Sequence, residues 1–310
     1  NSMQEVNECF KNVKKDYLKF LNKEKILGKS KAEKIKILKK IYIPTSFWIE
    51  RKYKEKGKTL FLGISGGQGS GKTTITGILK IILKNFFKRE ICITSIDNFY
   101  KTLQDRDKMS KSIHPLFKIR GVPGTHETNL LKKFFSKARK KKFKKFKLPK
   151  FDKSIDDRCN KKMWYKIKSR PDVVILEGWC VGARAQKKSQ IKRPINSLEK
   201  IKDHDLIWRK YVNTQLRTNY KNLFKELNEI IFLKASNFRL LQKWRVKQEK
   251  KLSLQSKNKK NLKIMSKTDI INFMHTYQRI TQNMFKDAPN YASITMKLNS
   301  NHQINSIKFR

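Results

Sequence analysis

The sequence predicts an α/β protein in which a mostly parallel sheet is flanked by helices. Short apolar segments, each long enough for one buried strand, alternate with segments whose apolar residues recur at helical spacing. A glycine-rich loop joins the first of these strands to the helix that follows it. Because strands that alternate with helices usually form parallel sheets with right-handed crossovers, these observations together predict an open α/β sheet.

The sequence predicts a helical N-terminal extension of residues 1–56, followed by one larger domain of residues 57–310. This segment is rich in lysine, and its apolar residues recur at helical spacing in two stripes. Gly28 and Pro44 separate the stripes. We expect two or three helices that dock onto the larger domain and contribute no chemistry.

The larger domain divides into elements by its pattern of apolar and polar residues. The expected strands are residues 59–65, 91–96, 173–176, 230–233 and 293–298. The expected helices are residues 73–87, 204–227, 236–252 and 267–285. Residues 100–130 and 253–263 are polar and predict loops. Residues 131–147 interleave lysines with four phenylalanines, a pattern that fits either a packed, solvated helix or a surface that stacks nucleic-acid bases.

The formal net charge of +50 is the unusual property of the composition. Such a charge is typical of proteins that bind nucleic acids or acidic membranes. The lysines are nevertheless spread over the whole chain among many Ile and Asn residues, which favours a compositional bias of an AT-rich genome. We therefore expect no specific nucleic-acid partner. The chain has no apolar run near the ~20 residues of a membrane span, no signal-like N-terminal stretch and no CxxC pair, so we expect a soluble, cytoplasmic protein with reduced thiols.

The strongest motif is a phosphate-binding loop of the form GxxxxGK[ST]. Its glycines allow successive backbone N–H groups to converge on phosphate oxygens, and the next helix points the positive end of its dipole at the anion. Lys72 is expected to reach the β- and γ-phosphates, and the Thr73 hydroxyl to ligate Mg²⁺. The sequence therefore predicts the P-loop NTP hydrolase-like fold, with ATP and Mg²⁺ as ligands. The predicted nucleotide-binding residues are Gly66, Gly67, Gln68, Gly69, Ser70, Gly71, Lys72, Thr73 and Thr74.

Two acidic residues follow predicted strands at the edge where the phosphate loop lies. Asp97 comes just after the second strand, and Glu177 just after the third. In an open parallel sheet the carboxyl ends of the strands line the ligand crevice. Asp97 can accept a proton from a substrate hydroxyl or help to hold Mg²⁺, although a lone Asp there is more often a turn or cap residue. Glu177 is expected to be a metal ligand, directly or through water.

With these residues in place, the chain resembles the plant and cyanobacterial type of D-glycerate 3-kinase. That family belongs to a larger group of P-loop kinases that includes phosphoribulokinase, uridine kinase and pantothenate kinase. The resemblance covers roughly residues 44–300. It rests on the ordered motifs GISGGQGSGKTT (63–74), SIDNFY (95–100), KIRGVPGTHE (118–127), LPKFDKS (148–154), VVILEGW (173–179) and WRVKQE (244–249).

The resemblance implies roles for residues in these motifs. Asp97 matches the catalytic base that activates the substrate hydroxyl, and Tyr100 lies in the same motif at the substrate. Arg120 and His126 are placed where the acid substrate is held. This agrees with the ability of a guanidinium to clamp a carboxylate through two hydrogen bonds. Lys153 would add a second cation near the substrate.

The resemblance also implies a helical lid at about residues 236–252. Arg245 on this helix would reach the transferring phosphoryl group and act with Lys72 and Asp97 in catalysis. From the residues alone, Arg245 would usually pair with Glu249 one turn later. The chain also departs from the family's pattern, because Asn98 stands where a second acidic residue is common and the glycine-rich stretch after DKS is shortened to residues 155–160.

The function implied is ATP-dependent phosphorylation of D-glycerate to 3-phosphoglycerate, in photorespiration or glycerate salvage. One alternative is a P-loop kinase of another small acceptor, such as a nucleoside or pantothenate. A second alternative is a nucleic-acid-binding ATPase, which the net charge and the basic segment 131–147 would favour.

Overall fold

The computed structural model describes residues 2–24, 26, 30–255 and 266–310, and the side chains of all of these except 251–255. Gly28 and most of the predicted loop 253–263 lie outside the described residues. The main sheet has six strands in the order β10-β9-β8-β1-β7-β2. These strands are β1 (Leu60–Gly66), β2 (Ile91–Ser95), β7 (Val173–Gly178), β8 (Glu229–Ala235), β9 (Ile294–Leu298) and β10 (Ile304–Phe309).

The first strand along the chain, β1, lies near the middle of the sheet and is buried along its whole length. It pairs in parallel with β7 on one side, starting at Leu60 opposite Val173, and with β8 on the other, starting at Leu62 opposite Glu229. The β2 strand pairs in parallel with β7, and β9 pairs in parallel with β8. Of these six strands, only the edge strand β10 runs antiparallel. The parallel α/β sheet predicted from the sequence is therefore confirmed.

Helices cover both faces of this sheet. Alternate residues of β1 point to opposite faces, so that Leu62 belongs to one apolar cluster and Phe61 to the other. The α-helices are α1 (Met3–Lys23), α2 (Lys31–Ile37), α3 (Ile43–Lys56), α4 (Lys72–Asn85), α5 (Leu103–Ser112), α6 (Thr128–Ala138), α7 (Lys188–Lys192), α8 (Ser197–Lys202), α9 (Ile207–Gln215), α10 (Lys221–Phe224), α11 (Phe238–Gln255) and α12 (Lys267–Asp287). Single π-helical turns connect α2 to α3 and α9 to α10.

The N-terminal helices pack against the face of the sheet that carries α4. Phe20 of α1 lies so close to Gly77 of α4 that a Cβ atom at Gly77 would be 2.4 Å from the Phe20 ring. The Tyr17 hydroxyl donates a hydrogen bond to the Lys34 carbonyl, which ties α1 to α2. Buried residues of α1 and α3 share one apolar cluster with β1 and α4.

Two predictions about local structure are wrong. The segment 100–130 is not a loop throughout, because it contains the ten-residue helix α5 and the start of α6. Thr102 caps α5, and the apparent polarity of this helix misled the prediction because its Arg106 side chain is fully buried. The basic segment 131–147 is not one helix, since α6 ends at Ala138.

Several short elements escaped the sequence analysis. They include β10, the short helices α7 and α8, and two antiparallel ribbons. One ribbon is formed by β3 (Phe146–Leu148) with β6 (Tyr165–Ile167), and the other by β4 (Phe151–Asp152) with β5 (Asp157–Arg158). Their apolar runs are too short to show a period. No helix among the described residues has the length and hydrophobicity needed to cross a lipid bilayer. All four cysteines are free thiols.

Candidate active site

The glycine-rich motif forms a loop between the end of β1 at Gly66 and the start of α4 at Lys72. The backbone φ angles are +76° at Gly69 and +87° at Gly71, a region that costs L-residues about 1–2 kcal/mol each. Glycine is thus suited to both positions. The loop leads into the N-terminus of a fourteen-residue helix, where backbone N–H groups and the helix dipole favour an anion.

The helix α11, predicted as the lid, packs directly on this loop. A Cβ atom added to Gly67 would lie 2.3 Å from Leu241 Cδ1, and one added to Gly69 would lie 3.2 Å from Trp244 Cβ. The Trp244 indole donates to the Ser300 carbonyl (3.1 Å) and stacks on the His302 ring at 3.8 Å. The turn between β9 and β10 thus holds α11 against the phosphate loop.

Polar groups inside the loop face inward. The Lys72 ammonium donates to the carbonyls of Gly66 (2.7 Å) and Gly67 (3.0 Å), and burial lowers the pKa of Lys72 despite the nearby Glu177 carboxylate. The hydroxyls of Ser65 and Ser70 are buried and have no hydrogen-bond partner among the described residues. A phosphate-bearing ligand would supply hydrogen-bond acceptors for these two hydroxyls and for the Lys72 ammonium.

The remaining predicted nucleotide-binding residues lie at the two ends of the same loop. Gln68 forms a side-chain hydrogen bond with Tyr277 of α12. Thr74 lies in the first turn of α4 beside Lys72 and Thr73.

Thr73 and Glu177 face one another across the ends of α4 and β7. The Thr73 hydroxyl lies 3.4 Å from Glu177 Oε1, and the Thr76 hydroxyl lies 3.5 Å from Oε2. Burial raises the pKa of Glu177, with the Lys72 ammonium opposing that shift. A hydroxyl and a carboxylate are oxygen ligands that suit Mg²⁺, which often binds only one or two protein carboxylates and keeps several waters. Within the described part of the chain there is no cluster of three or more His, Cys, Asp or Glu residues able to hold a metal alone.

Asp97 lies in the turn that follows β2, within reach of Lys153 and Tyr100. The Lys153 ammonium donates to Asp97 Oδ2 at 2.7 Å, and Tyr100 forms a side-chain hydrogen bond with the same carboxylate. Burial would raise the pKa of Asp97, but the Lys153 charge and these hydrogen bonds outweigh it and lower the pKa below its usual value. Asp97 is therefore an ionised carboxylate at neutral pH.

His126 lies beside Tyr100 with its ring buried. The two rings stack at 4.5 Å between centroids, and burial lowers the pKa of His126 to about 4, so the imidazole is neutral at pH 7. The Tyr220 hydroxyl accepts from the Gly124 N–H (3.0 Å) and forms a hydrogen bond with His126 Nδ1 at 2.6 Å. The other ring nitrogen, Nε2, is buried and has no hydrogen-bond partner among the described residues.

Arg120 begins a loop that the surrounding aromatic residues fix in place. The Trp179 indole donates to the Gly121 carbonyl at 3.0 Å, and the Tyr277 hydroxyl donates to the Arg120 carbonyl at 3.4 Å. The Arg120 guanidinium lies 5.7 Å from the centre of the Phe151 ring, which also contacts Tyr100. Phe151 thus lies between Arg120 and Tyr100, and the Arg120 guanidinium is paired with a carboxylate.

That carboxylate belongs to Asp156, a residue that the sequence analysis did not single out. Asp156 pairs with Arg120 through one oxygen and with the fully buried Arg106 through the other, at 3.1 Å. The next two residues extend this network. Asp157 accepts from the Leu103 N–H at 3.0 Å, and Arg158 donates to the Tyr100 carbonyl at 2.6 Å. The sequence signal was an acidic pair in a chain with few acidic residues.

Asn98 and Arg245 each have a partner that explains part of their role. The Asn98 side-chain carbonyl accepts from the Phe151 N–H at 3.3 Å, which fixes the strand that leads to Lys153. Arg245 pairs with Glu249 at 2.6 Å, as expected for residues one turn apart. Arg245 nevertheless lies on the turn of α11 that contacts the phosphate loop.

The groups at the carboxyl ends of β1, β2 and β7 have the chemistry that phosphoryl transfer requires. A phosphate loop, a Thr–Glu pair suited to a metal, and an ionised carboxylate paired with a lysine meet at one edge of the sheet. The chain has the fold of a P-loop kinase. The D-glycerate 3-kinase from Cryptococcus neoformans var. grubii superposes with a TM-score of 0.74 at 20% identity, covering 87% of this chain and 99% of that protein. A protein called YGR205w superposes with a TM-score of 0.65 at 29% identity, covering 89% and 96% respectively.

Sequence comparison agrees with the structural one. An uncharacterised kinase, mug58, of Schizosaccharomyces pombe is 29% identical over 239 residues, which is 74% of this chain and 82% of that protein. The chloroplastic D-glycerate 3-kinase of Arabidopsis thaliana is 26% identical over 225 residues, or 67% of this chain. The match spans only 47% of the Arabidopsis protein. No family model matches the chain. The resemblance to D-glycerate 3-kinases predicted from the motifs is confirmed.

Proposed function

We propose that the protein phosphorylates the 3-hydroxyl of D-glycerate with ATP, giving 3-phosphoglycerate and ADP. The observation that carries this proposal is the cluster of Asp97, Lys153, Tyr100 and His126 next to the phosphate loop. It combines one ionised carboxylate with a cation and a buried donor, which suits an acceptor that is small, anionic and hydroxylated. The similarity to named D-glycerate 3-kinases supports the same acceptor.

In this proposal Asp97 orients the 3-hydroxyl and takes its proton as the oxygen attacks the γ-phosphorus and ADP leaves. The transition state of phosphoryl transfer is loose, so the chain's main task is to position the reactants and stabilise charge. Lys72 would stabilise the γ-phosphoryl oxygens from the loop. Arg245 would act from α11 by exchanging part of its contact with Glu249 for the phosphoryl group.

The acid end of the substrate would meet a cation and a neutral donor. Arg120 would bind the carboxylate of the substrate. Its ion pair with Asp156 would hold one side of the guanidinium and so restrict its orientation. Burial keeps His126 uncharged, and with Tyr220 donating to Nδ1 the imidazole would donate to the substrate from Nε2. Lys153 pairs with Asp97 and would also neutralise charge on the substrate.

Thr73 and Glu177 would hold Mg²⁺ as oxygen ligands, with Asp97 close enough in the site to contact its water shell. The bound metal would neutralise charge on the β- and γ-phosphate oxygens. The raised pKa of Glu177 follows from its burial next to a hydroxyl pair, an environment that a divalent cation would compensate.

A coupled ADP-release assay with Mg·ATP tests the acceptor. D-glycerate, L-glycerate, pantothenate and uridine are compared with no acceptor, and we expect strong stimulation by D-glycerate alone. Stimulation by uridine or pantothenate instead would show that the acceptor is not D-glycerate. Basal hydrolysis without stimulation would leave the nucleotide site in place but would disprove D-glycerate as the acceptor.

A matched pair of variants tests the base. Asp97→Asn should reduce turnover by at least ~10²-fold with little change in ATP affinity. Asp107→Asn removes a partly exposed carboxylate outside the site and should leave turnover unchanged. Near wild-type turnover in Asp97→Asn would disprove the assigned role.

A cytoplasmic location and a role in photorespiration or glycerate salvage belong to the same proposal, as expectations from the resemblance. Fractionation of cells that express the full-length chain tests the location. The division of the chain into an extension, 1–56, and a kinase domain, 57–310, is likewise a proposal. Turnover by a chain that starts at residue 57 tests it.

A further inference from the structure

The kinase site leaves unexplained a strongly basic surface built from two separate segments, residues 139–147 and 161–168, which we call the basic ribbon. Eleven of its 17 residues are Lys or Arg, and none is Asp or Glu. Over the whole chain the fraction of Lys and Arg is 75 of 310. The density of cations in the ribbon is therefore more than twice that of the chain, so a uniform compositional bias does not account for it.

Strand pairing brings these two segments side by side. In the antiparallel pair of β3 with β6, Phe146 lies opposite Ile167 and Lys147 opposite Lys166. Phe146 and Ile167 are half-buried, and because side chains alternate along a strand, Lys147 and Lys166 share the opposite, solvent-facing side. Like charges directly opposite each other destabilise a strand pair. The ribbon keeps such a pair without a compensating acidic neighbour.

The ribbon's lysines are available to a ligand. All ten are exposed, and no carboxylate of the described residues lies within ion-pair distance of any of them. The remaining cation, Arg139, pairs with Glu226. Five lysines elsewhere among the described residues have acidic partners, as Lys101 has in Glu127 at 3.0 Å. The ribbon is thus a continuous field of uncompensated positive charge.

Two large side chains of the segment 161–168 are exposed. Tyr165 is 48% exposed and Met163 is 60% exposed, although side chains of this size are usually more deeply buried. Because Tyr165 pairs with Leu148, its ring leaves the strand pair on the face opposite Lys147 and Lys166, at the edge of the ribbon where Lys150 lies. The Lys150 ammonium lies 5.8 Å from the centre of the Tyr165 ring. A basic groove or strip that carries an exposed aromatic ring is the arrangement that binds single-stranded nucleic acids, with phosphates on the cations and a base on the ring.

We propose that the basic ribbon binds single-stranded nucleic acid through its phosphate backbone, without sequence preference. The ribbon is not an amphipathic helix, which is the element that usually attaches a basic protein to an anionic membrane. The proposal concerns a surface separate from the phosphate loop, and it is consistent with the expectation that the chain has no sequence-specific nucleic-acid partner.

Fluorescence anisotropy with a labelled oligothymidylate of about 20 nucleotides tests the proposal, with Mg·ADP in excess to occupy the nucleotide site. The ribbon variant is the triple substitution Lys144→Gln, Lys147→Gln and Lys166→Gln. The control variant is Lys11→Gln, Lys15→Gln and Lys19→Gln, three exposed lysines of α1. Both variants lose the same net charge, so a difference between them reports position.

Each lost phosphate contact should reduce the slope of log K against log[salt] by about 0.7 for a single strand. Three lost contacts predict a slope smaller by about 2 and an affinity lower by about 100-fold at 0.1 M salt. The control should keep the wild-type slope. Thermal unfolding of both variants confirms that they are folded.

Three results would overturn the proposal. Equal weakening in both variants would attribute binding to net charge alone. If the wild-type chain does not bind the oligonucleotide at 0.1 M salt, single-stranded nucleic acid is not a ligand of the ribbon. Binding to phosphatidylserine vesicles, abolished in the ribbon variant, with no binding to the oligonucleotide would assign the surface to a membrane instead.

Discussion

The contact between Gly67 of the phosphate loop and Leu241 of α11 predicts the effect of a single added methyl group. In Gly67→Ala the new Cβ would lie 2.3 Å from Leu241 Cδ1 and 2.9 Å from Cδ2. Carbon atoms in contact prefer about 3.5–4.0 Å, so the loop and the helix must separate by more than about 1 Å or Leu241 must leave its rotamer. Overpacking of this kind costs about 1–3 kcal/mol of unfolding free energy. Because α11 is displaced from the loop, ATP affinity should fall as well.

A double-mutant cycle measures this contact directly. Leu241 is buried, so Leu241→Ala alone should cost about 2–5 kcal/mol. In the double variant the methyl group added at position 67 enters the space that Leu241 vacates. The double variant should therefore lose at least about 1 kcal/mol less unfolding free energy than the sum of the two single variants. Urea unfolding gives the stabilities, and titration with ATP gives the affinity.

Gly71→Ala is the matched control for the loop. Gly71 has a φ of +87° and open space where its Cβ would lie, so the substitution introduces backbone strain without a clash. Leu241→Ala should not rescue it. If the unfolding free energies lost in Gly67→Ala and Leu241→Ala add within about 0.5 kcal/mol in the double variant, the packing of α11 on the phosphate loop is refuted.

The remaining predictions concern the acceptor side of the site. Lys153→Met removes the charge that lowers the pKa of Asp97, so the acidic limb of kcat against pH should move to higher pH. An exposed pair worth about 0.2–1 kcal/mol corresponds to about 0.2–0.7 pH unit, and an unmoved limb would contradict the pairing. The lowered pKa of Asp97 stabilises the folded protein at pH values above the pKa of Asp97 in the unfolded chain. This stabilisation is lost as the pH falls through the pKa of Asp97 in the folded protein, and it should be smaller in Lys153→Met. Asp156→Asn should raise KM for the acid substrate by about tenfold while kcat changes less, because Arg120 loses its anchor; equal changes in both would point to general damage. Arg245→Ala should lower kcat by at least ~10²-fold in single-turnover measurements, and a change confined to ATP affinity would leave it a packing residue.

The sheet was predictable from the sequence because its strands are central and buried on both faces. Such strands are continuous apolar runs, as in β1 and β7, and need no knowledge of their partners. The edge strand β10 is half polar, and the ribbon strands have two or three residues, so neither carries a period. The helix α5 was missed because Arg106, which is fully buried, looks like a surface residue in a sequence. Its guanidinium donates to the Asp156 carboxylate and to three backbone carbonyls.

The candidate site divides in the same way. Residues in the loop and at strand ends could be placed from local pattern, since a strand end fixes which edge of the sheet a carboxylate occupies. The positions of Asp156, Arg158 and Tyr220 could not, because each reaches the site through contacts with segments that are far away in the chain. The boundary between an N-terminal extension and a kinase domain stays a prediction, and the apolar cluster shared by α1, α3 and β1 shows that the two parts pack together.

The central position of β1 has a consequence for how the chain acquires this structure. The strand is synthesised before its two neighbours, β7 and β8, which lie more than one hundred residues further along. At about 5–20 residues per second, a ribosome needs on the order of 10–30 s to deliver both. During this interval a largely apolar strand has no sheet to join, and contacts so distant in sequence are slow to form. The segment that gives the phosphate loop its first support is therefore the one most dependent on protection from aggregation while the rest of the chain is made.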